Sequence, residues 1–377
     1  MARPLRVLVL SPDFPPAFGG IQVAMHRIAS HLPSSRVEVV TFDWPGAETF
    51  DESETLDVRR VRMHKSRKRS VAMLNLAAIN AARESRPDVV LSGHIVTSPA
   101  ASLLSRIRSI PFVQYVYADE VRSRPRLAAF AVRHADAVVA ISRHSRNMAH
   151  LAAGRAEKVQ IIPVGVDLPL DSGEQRAERP TILTVARLRD RHKGHDVIIR
   201  AMPLILERVP DAQWVVLGDG RLRGELEQLA ASHGLNGHAR FLGQVSDAER
   251  DAWLDRAHLF AMPSRLPDEG VGGEGFGIVY LEAGAHGLPV VAGNVAGAMD
   301  AVVDGETGFL VDPTDHVAVA DAVADILGDP AKAEELGRAG AARAREFAWP
   351  VIGERLEQLL LEVAHRNGNG NGNGNGR

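Results

Sequence analysis

Short runs of valine, isoleucine and leucine alternate with helix-length amphipathic stretches along almost the whole chain, and this alternation restricts the fold more than any other feature. It is typical of βαβ units, which build parallel sheets with helices packed on both faces. The runs at 88–91 and 136–141 are short and apolar, as strands buried on both faces should be. The sequence therefore predicts an α/β protein with doubly wound parallel sheets.

The alternation is interrupted once, and the interruption divides the chain into two halves of similar size. Residues 163–180 are rich in proline, glycine and charge and have no apolar periodicity. At the other end, five Asn-Gly pairs at 367–376 are too polar to bury anything. The predicted parts are a Rossmann-like domain at 1–165, a linker at 166–180, a second Rossmann-like domain at 181–348, a helix at 349–366 that returns to the first domain, and a disordered tail at 367–377.

Composition excludes several classes of chemistry. The 377 residues contain no cysteine, which excludes disulfides, thiolate zinc sites, iron–sulfur clusters and a cysteine nucleophile. The 44 Lys and Arg against 47 Asp and Glu give a net charge of −3, which does not favour a nucleic-acid partner. No apolar run reaches the ~18 residues of a membrane span, and the first residues do not resemble a signal peptide. We therefore expect a cytoplasmic protein.

Two loops that follow predicted strands carry features suited to binding an anion. Gly19 and Gly20 follow the first strand and precede a helix, whose unpaired backbone N–H groups can receive negative charge. In the second half, Arg187 and Lys193 lie in a basic loop that also follows a first strand, where fixed positive charge would neutralise a diphosphate. A tight turn and a solvated basic loop are the structural alternatives for these two segments.

The segment EGFGIVYLE carries two carboxylates eight residues apart, Glu274 before a predicted helix and Glu282 inside it. At 100° per residue this spacing amounts to two turns plus 80°, so the two side chains need not share a face. Glu282 has apolar neighbours, which indicates a partly buried carboxylate that needs a hydroxyl or a cation as partner. Its structural alternative is a salt bridge.

Together these segments resemble the retaining glycosyltransferases of family four. The resemblance spans nearly the whole folded chain, implies the GT-B fold of two Rossmann-like domains facing a cleft, and is nearest to phosphatidylinositol-mannoside mannosyltransferases. The segments that carry it are Pro15–Ile21 (PPAFGGI), PVGVD at 163–167, Arg187-Leu188 with Lys193-Gly194, GDG at 218–220, EGFGIVYLE at 274–282, GLPVVA at 287–292 and GETGFLV at 305–311.

The resemblance implies a reaction and a role for each matching residue. Arg187 and Lys193 would bind the donor diphosphate and stabilise its leaving charge, and Glu274 would lie beside the sugar. The residues implied to bind the donor are Gly19, Gly20, Phe276, Gly277, Ile278 and Glu282, the last through the ribose hydroxyls. Mannose or another hexose would move, with retention, from a GDP or UDP sugar to a lipid or small-molecule acceptor.

The sequence carries no signature of a metal or a cofactor site. No two aspartates stand two residues apart, and neither HExxH nor GxxxxGK[ST] occurs. The cationic side chains would therefore take the place of Mg²⁺ at the leaving group. We expect a metal-independent enzyme that needs no cofactor.

One departure from the family concerns the acceptor or sugar side of the site. The family carries a histidine near the helix after the fifth strand, where this chain has Tyr117. Tyrosine can hydrogen-bond a sugar hydroxyl but titrates near pH ~10, and His94, after the preceding strand, is the candidate to replace the histidine. This departure keeps open a catalytically weakened sugar-nucleotide-binding subunit, and twin Rossmann-like domains also suit a nucleotide-sugar epimerase.

A basic run lies in the first half. Residues 59–69 contain seven Lys and Arg and no acidic residue. In this family, basic patches of the N-terminal domain dock enzymes with lipid acceptors on anionic membranes, and each basic residue near such a surface contributes on the order of 1 kcal/mol. The hypothesis is therefore peripheral contact with the inner membrane face, against the alternatives of a solvated loop or a site for a soluble anionic acceptor.

Overall fold

The computed structural model describes residues 3–17, 19–154, 157–169, 175–267 and 273–370, and of residues 367–370 the backbone alone. Within these ranges the chain forms two compact units, each built on one parallel sheet with helices around it. The prediction of two doubly wound parallel sheets is confirmed. No helix among the described residues combines the length and apolarity needed to cross a membrane.

The first unit contains the chain up to Gly165 together with the last helix. Its seven strands have the order β3-β2-β1-β4-β5-β6-β7. The strands are β1 Leu5–Leu10, β2 Ser35–Asp43, β3 Asp57–Arg62, β4 Val89–Ser92, β5 Phe112–Val116, β6 Ala137–Ala140 and β7 Val159–Ile161. The helices are α1 Gly20–Ser30, α2 Ala47–Glu52, α3 Arg67–Ser85, α4 Ser98–Arg108, α5 Ala118–Ser123, α6 Pro125–His134, α7 Arg143–Ala153 and α15 Trp349–Gly370.

The second unit comprises Val166–Ala348 and has six strands in the order β10-β9-β8-β11-β12-β13. The strands are β8 Thr181–Val185, β9 Gln213–Leu217, β10 Ala239–Gly243, β11 Leu259–Met262, β12 Val290–Gly293 and β13 Gly308–Val311. The helices are α8 His195–Arg208, α9 Arg223–Ser232, α10 Asp247–Arg256, α11 Ile278–Ala285, α12 Ala298–Ala301, α13 His316–Gly328 and α14 Pro330–Glu346.

Each core forms where the central strands are covered on both faces. β4 and β6 in the first unit and β9 and β11 in the second are buried at every residue. A parallel strand in this position must be apolar throughout, because helices cover both of its faces. The carboxyl ends of β1, β4 and β5 are neighbours in the first sheet, as are those of β8, β9 and β11 in the second. These two edges carry the candidate site residues described below.

Some short elements escape the sequence pattern. β3 overlaps the basic run at 59–69, because its three arginines left only Val58 and Val61 as an apolar signal. α2 and α12 have six and four residues, too few to show a helical period.

The last helix begins at Trp349, so Pro350 lies in its first turn, where a proline costs no hydrogen bond. It packs in the first unit, where Ile352, Leu356 and Leu360 are fully buried and Glu357 accepts hydrogen bonds from the Ser34 N–H at 2.9 Å and the Ser35 hydroxyl at 2.6 Å.

The backbone of the same helix is described as far as Gly370, four residues into the segment predicted to be disordered, and the disorder of that segment stays a prediction. The rest of that predicted tail, 371–377, lies outside the described residues, as do positions 170–174 of the predicted linker.

Candidate active site

The loop after β8 presents Arg187 from a fixed backbone. On either side of it, the Ala186 N–H donates to the Leu217 carbonyl at 2.9 Å and the Leu188 N–H to the Asp219 carbonyl at 3.0 Å. Gly218 permits this close approach, because a Cβ there would lie 2.0 Å from the Ala186 oxygen. The Arg187 side chain is exposed and makes no hydrogen bond or ion pair with any described residue. A cation held in this way is available to a ligand.

Lys193 ends the same loop and pairs with Glu274. Residues Arg191–Lys193 form a short 3₁₀ turn, and Gly194 then begins α8. The Lys193 ammonium contacts the Glu274 carboxylate, and the two side chains are only 17% and 16% exposed. The structure thus brings together two residues that stand 81 positions apart in the sequence. A partly buried ion pair of this kind has a fixed geometry, which suits a site that must be organised before the ligand binds.

A second ion pair supports the Lys193 turn, and the sequence analysis missed it. The Arg265 guanidinium donates to both Asp196 oxygens, at 2.9 and 3.2 Å, and Asp196 is buried. The Arg265 N–H also donates to the His192 carbonyl at 2.8 Å. The signals that could have found them are the position of Arg265 after β11 and the position of Asp196 at the end of the basic segment that begins at Arg187. Together they hold the backbone beside Lys193.

The helix after Glu274 begins at Ile278 and not near Phe276, because Gly277 has a φ of 85° and forms the N-cap. Phe276 is buried, and its ring packs against that of Phe347 with centroids 5.7 Å apart. Its side chain therefore belongs to the core, and a ligand can use only its main chain. The first N–H groups of α11 lack partners within the helix, as at every helix start.

Glu282, the fifth residue of α11, does not join the Lys193–Glu274 pair. Its charge neighbours are Arg250, which attracts it, and Asp251, Asp167 and Asp247, which repel it. Burial raises the pKa of Glu282, and the three aspartates add to the effect while Arg250 opposes it. Glu282 has no ion pair within 4 Å and no hydrogen bond among the described residues, so its structural alternative, a salt bridge, is wrong. A carboxylate this poorly paired is available to accept hydroxyl groups.

In the first unit, Gly19 forms the N-cap of α1 and Gly20 is the first helical residue. A Cβ on Gly20 would meet nothing within 4 Å, so the backbone there is open to a ligand. Asp13, before this turn, is half-buried and accepts a hydrogen bond from Gln22 Nε2 at 2.8 Å. Burial raises the pKa of Asp13, while His94 and Arg67 lower it through their charge.

Tyr117 is the N-cap residue of α5 and is buried. It is 5% exposed, and its hydroxyl is buried without a partner among the described residues. Burial raises the pKa of Tyr117 well above its ordinary value, which disfavours acid–base work by this phenol. Its contact with the sugar stays a prediction. His94 is half-buried, and its Nδ1 lies 2.8 Å from Oε1 of Glu120.

Two of the seven cations in the basic run are occupied by acids. Arg59 contacts Glu84 at 2.6 Å and Glu38 at 3.3 Å, and Arg60 contacts Asp51 at 2.6 Å. The other five are exposed and form no ion pair with a described residue: Arg62, Lys65, Arg67, Lys68 and Arg69. The free positive charge thus begins at the end of β3 and extends into the first turn of α3.

No group of three or more histidine, aspartate or glutamate side chains in the described ranges is arranged to hold a metal ion.

Comparison with known proteins gives two family matches that together cover most of the chain. Residues 18–169 match the model described as Glycosyltransferase Family 4, and residues 171–343 match the one described as Glycosyl transferases group 1. A GDP-mannose-dependent alpha-(1-6)-phosphatidylinositol monomannoside mannosyltransferase of Mycolicibacterium smegmatis is 34% identical, over 94% of this chain and 98% of the relative. A related monoacylated-substrate mannosyltransferase of Corynebacterium glutamicum is 30% identical over 96% of this chain and 99% of the relative.

Among solved structures, the fold matches Anabaena Alr3699/HepE in complex with UDP, with a TM-score of 0.78 and 22% identity. The match covers 95% of this chain and 100% of that one. Sucrose-phosphate synthase from Thermosynechococcus elongatus matches with a TM-score of 0.76 and 21% identity, over 97% of this chain and 100% of that one. At these identities the likeness concerns the fold alone, and it confirms the predicted architecture.

Proposed function

This chain belongs to glycosyltransferase family four, has the GT-B fold and is a nucleotide-sugar-dependent hexosyltransferase; from that premise we propose that it transfers mannose from GDP-mannose to a phosphatidylinositol-type lipid, with retention and without a metal ion. The donor and acceptor follow the two mannosyltransferases that resemble it over nearly their full length. Neither an epimerase nor a weakened binding subunit finds support in these comparisons.

The observation that carries the proposal is the pair of cations on the loop after β8. Arg187 is exposed and unpaired among the described residues, and Lys193 is held in place by Glu274. A departing nucleoside diphosphate gains negative charge, and preorganised donors stabilise that charge at no cost of reorganisation. These two side chains would supply the charge that Mg²⁺ supplies elsewhere, which supports metal-independent transfer.

The pairing of Glu274 bears on the stereochemistry. Its carboxylate contacts Lys193, so we propose that it holds the ammonium against the diphosphate instead of attacking the sugar itself. The acceptor oxygen would then attack on the face from which the diphosphate leaves, and the anomeric configuration would be retained. Glu282 would accept hydrogen bonds from the ribose hydroxyls, and Phe276, Gly277 and Ile278 would donate main-chain N–H groups at the start of α11.

The test is a transfer assay with GDP-mannose or UDP-glucose and a phosphatidylinositol monomannoside acceptor, in buffer that contains EDTA. We expect transfer from GDP-mannose alone, with an α-linked mannose in the product by NMR. Transfer that requires added Mg²⁺ or Mn²⁺, or a β-linked product, would contradict the mechanism. An isomerised sugar nucleotide formed without any acceptor would instead support an epimerase.

We further propose that the acceptor is reached at an anionic membrane, through the basic end of α3 and the apolar surface beside it. The five exposed cations lead into a helix whose Met73 and Leu76 are 44% and 59% exposed. The neighbouring helix α4 exposes Leu103 and Ile107 at 42% and 56%. Basic residues beside exposed apolar ones are the composition of an interfacial contact.

Replacing Lys65, Lys68 and Arg69 by glutamine should reduce binding to vesicles of phosphatidylcholine with 30% phosphatidylinositol by roughly tenfold or more, because each cation contributes on the order of 1 kcal/mol near such a surface. Sedimentation at low salt measures the bound fraction. The matched control replaces Arg208, Arg338 and Arg345, three exposed arginines of the second unit, by glutamine. An equal loss in both variants, or equal binding to pure phosphatidylcholine, would rule out a specific contact.

A further inference from the structure

The loop before α11 contains little that could stiffen it from within. Residues 273–277, here called the donor loop, include Glu274, which contacts Lys193, and end at the N-cap of α11. Every second residue of this loop is a glycine, and Gly273 and Gly277 have positive φ values of 95° and 85°. Glycine loses more conformational freedom on ordering than any other residue. A fixed position for Glu274 therefore requires supports from other elements.

The first support is α12, whose N-cap residue is Gly297. The Gly297 N–H donates to the Glu274 carbonyl at 2.9 Å. A Cβ on Gly297 would lie 2.5 Å from the Gly275 carbonyl oxygen and 2.5 Å from the Phe276 nitrogen, so the two backbones are in direct contact. However, α12 has only four residues, and a helix of a single turn has no stability of its own. It can support the donor loop only if another residue holds it in place.

Arg343, on α14, holds α12 at its carboxyl end. Its guanidinium donates from Nε to the Ala301 carbonyl at 2.9 Å and from Nη2 to the Asp300 carbonyl at 2.6 Å. The last carbonyls of a helix have no partner within it, and a planar guanidinium can satisfy two of them at once. The Asp300 N–H in turn donates to the Gly297 carbonyl at 3.0 Å, which connects the two ends of the short helix.

The same guanidinium reaches the donor loop by a second route. Its Cζ lies 5.1 Å from the centroid of the Phe347 ring, within the range of a cation–π contact. The Phe347 ring packs in turn against that of the buried Phe276, with centroids 5.7 Å apart. Arg343 is half-buried and forms no ion pair with a described residue. Its directional contacts in the described part of the chain go to α12 and to Phe347, and both lead to the donor loop.

We propose that Arg343 is a positioning residue for the nucleotide-sugar donor. Through α12 and Phe347 it holds the donor loop in the conformation that keeps Glu274 on Lys193 and directs the main chain at 276–278 towards the donor. Use of this loop by the donor rests on the proposed function. A loop that is fixed before binding spares the donor the cost of ordering its glycines, so loss of Arg343 weakens use of the donor and not of the acceptor.

The kinetic test is Arg343→Ala in the full chain. We expect kcat/KM for GDP-mannose to fall roughly tenfold or more, because small displacements of positioning groups are costly, while the KM for the acceptor stays unchanged. The matched control is Arg338→Ala, an exposed arginine of the same helix whose partner is Glu334, and it should change neither value. A lower urea midpoint of Arg343→Ala with unchanged kinetics for GDP-mannose would show a role in stability alone and would overturn the proposal.

The order of the donor loop can be measured without any transfer. Hydrogen exchange, followed by mass spectrometry on peptides that span 274–281, should be roughly tenfold faster in Arg343→Ala than in the wild type. Exchange in the central strand β9 should stay unchanged, which separates local loosening of the loop from destabilisation of the whole unit. Arg338→Ala should exchange like the wild type in both segments.

Gly297→Ala tests the same support without touching Arg343, and so applies even if Arg343→Ala fails to fold. Gly297 has a φ of −73°, so alanine adds no backbone strain, but its Cβ would displace the Gly275 backbone. It should change exchange and donor kinetics as Arg343→Ala does, and Gly224→Ala, whose Cβ would meet nothing within 4 Å, should change neither. Wild-type exchange at 274–281 in these variants would overturn the proposal. Absence of transfer by the wild type would instead overturn the proposed function and leave the exchange result intact.

Discussion

Lys193→Ala is expected to lower the rate of sugar transfer by about 10²–10³-fold, the effect typical of removing one preorganised donor from a developing negative charge. The ammonium is nearly buried against Glu274, so no neighbouring cation can move into its place without breaking that arrangement. Single-turnover kinetics with saturating donor would measure the loss on the chemical step. We expect the variant to remain folded, because Asp196 and Arg265 hold the backbone of the turn independently of Lys193.

The matched control is Arg191→Ala, in the same 3₁₀ turn. Arg191 is exposed and pairs with Glu225, also exposed, at the surface, so its removal should change the rate less than threefold. Removal of Lys193 also leaves Glu274 without its cation, which costs stability. Lys193→Met with Glu274→Gln removes both charges and should restore the unfolding midpoint without restoring turnover. Near-wild-type turnover in Lys193→Ala would contradict the assignment of this loop to the leaving diphosphate.

Gly194→Ala should destabilise the second unit by about 3 kcal/mol or more, a large effect for a single methyl group. Gly194 has a φ of 78°, which costs a residue with a side chain roughly 1–2 kcal/mol. In addition, its Cβ would lie 2.3 Å from the Pro263 carbonyl oxygen, which is backbone and has little room to move. The Gly194 carbonyl also accepts the first N–H groups of α8, from Val197 and Ile198, so the strain would reach the helix that follows Lys193.

Gly237→Ala separates the two causes. Gly237 has a nearly equal φ of 83°, but a Cβ there would meet nothing within 4 Å. It should therefore show the backbone cost alone, about 1–2 kcal/mol. Urea unfolding followed by tryptophan fluorescence, with Trp214 buried in the second unit, gives both values. Equal midpoints for the two variants would show that the contact with Pro263 yields easily.

Most of the fold was predictable because strands buried on both faces leave a strong apolar signal. β3 was not recognised, since its three arginines resemble a solvated run until Glu38, Glu84 and Asp51 are brought beside two of them from other elements. The short helices α2 and α12 carry too few residues for a period.

Some residues of the candidate site were likewise marked by a sequence motif, and others are identified only by the tertiary structure. Glu274 and Lys193 were each marked by a local motif, but their contact depends on two strand ends meeting at one sheet edge. Arg265 follows β11 and Asp196 lies in the first turn of α8, and only the tertiary structure shows that they pair. The burial of Tyr117 likewise depends on tertiary packing and is not indicated by its neighbours in sequence.

A structure of the chain with bound GDP-mannose tests the central claim most directly. We expect diphosphate oxygens within about 3 Å of both Lys193 Nζ and the Arg187 guanidinium, and ribose hydroxyls hydrogen-bonded to the Glu282 carboxylate. A nucleotide bound elsewhere, with these three side chains making no contact to it, would contradict the account.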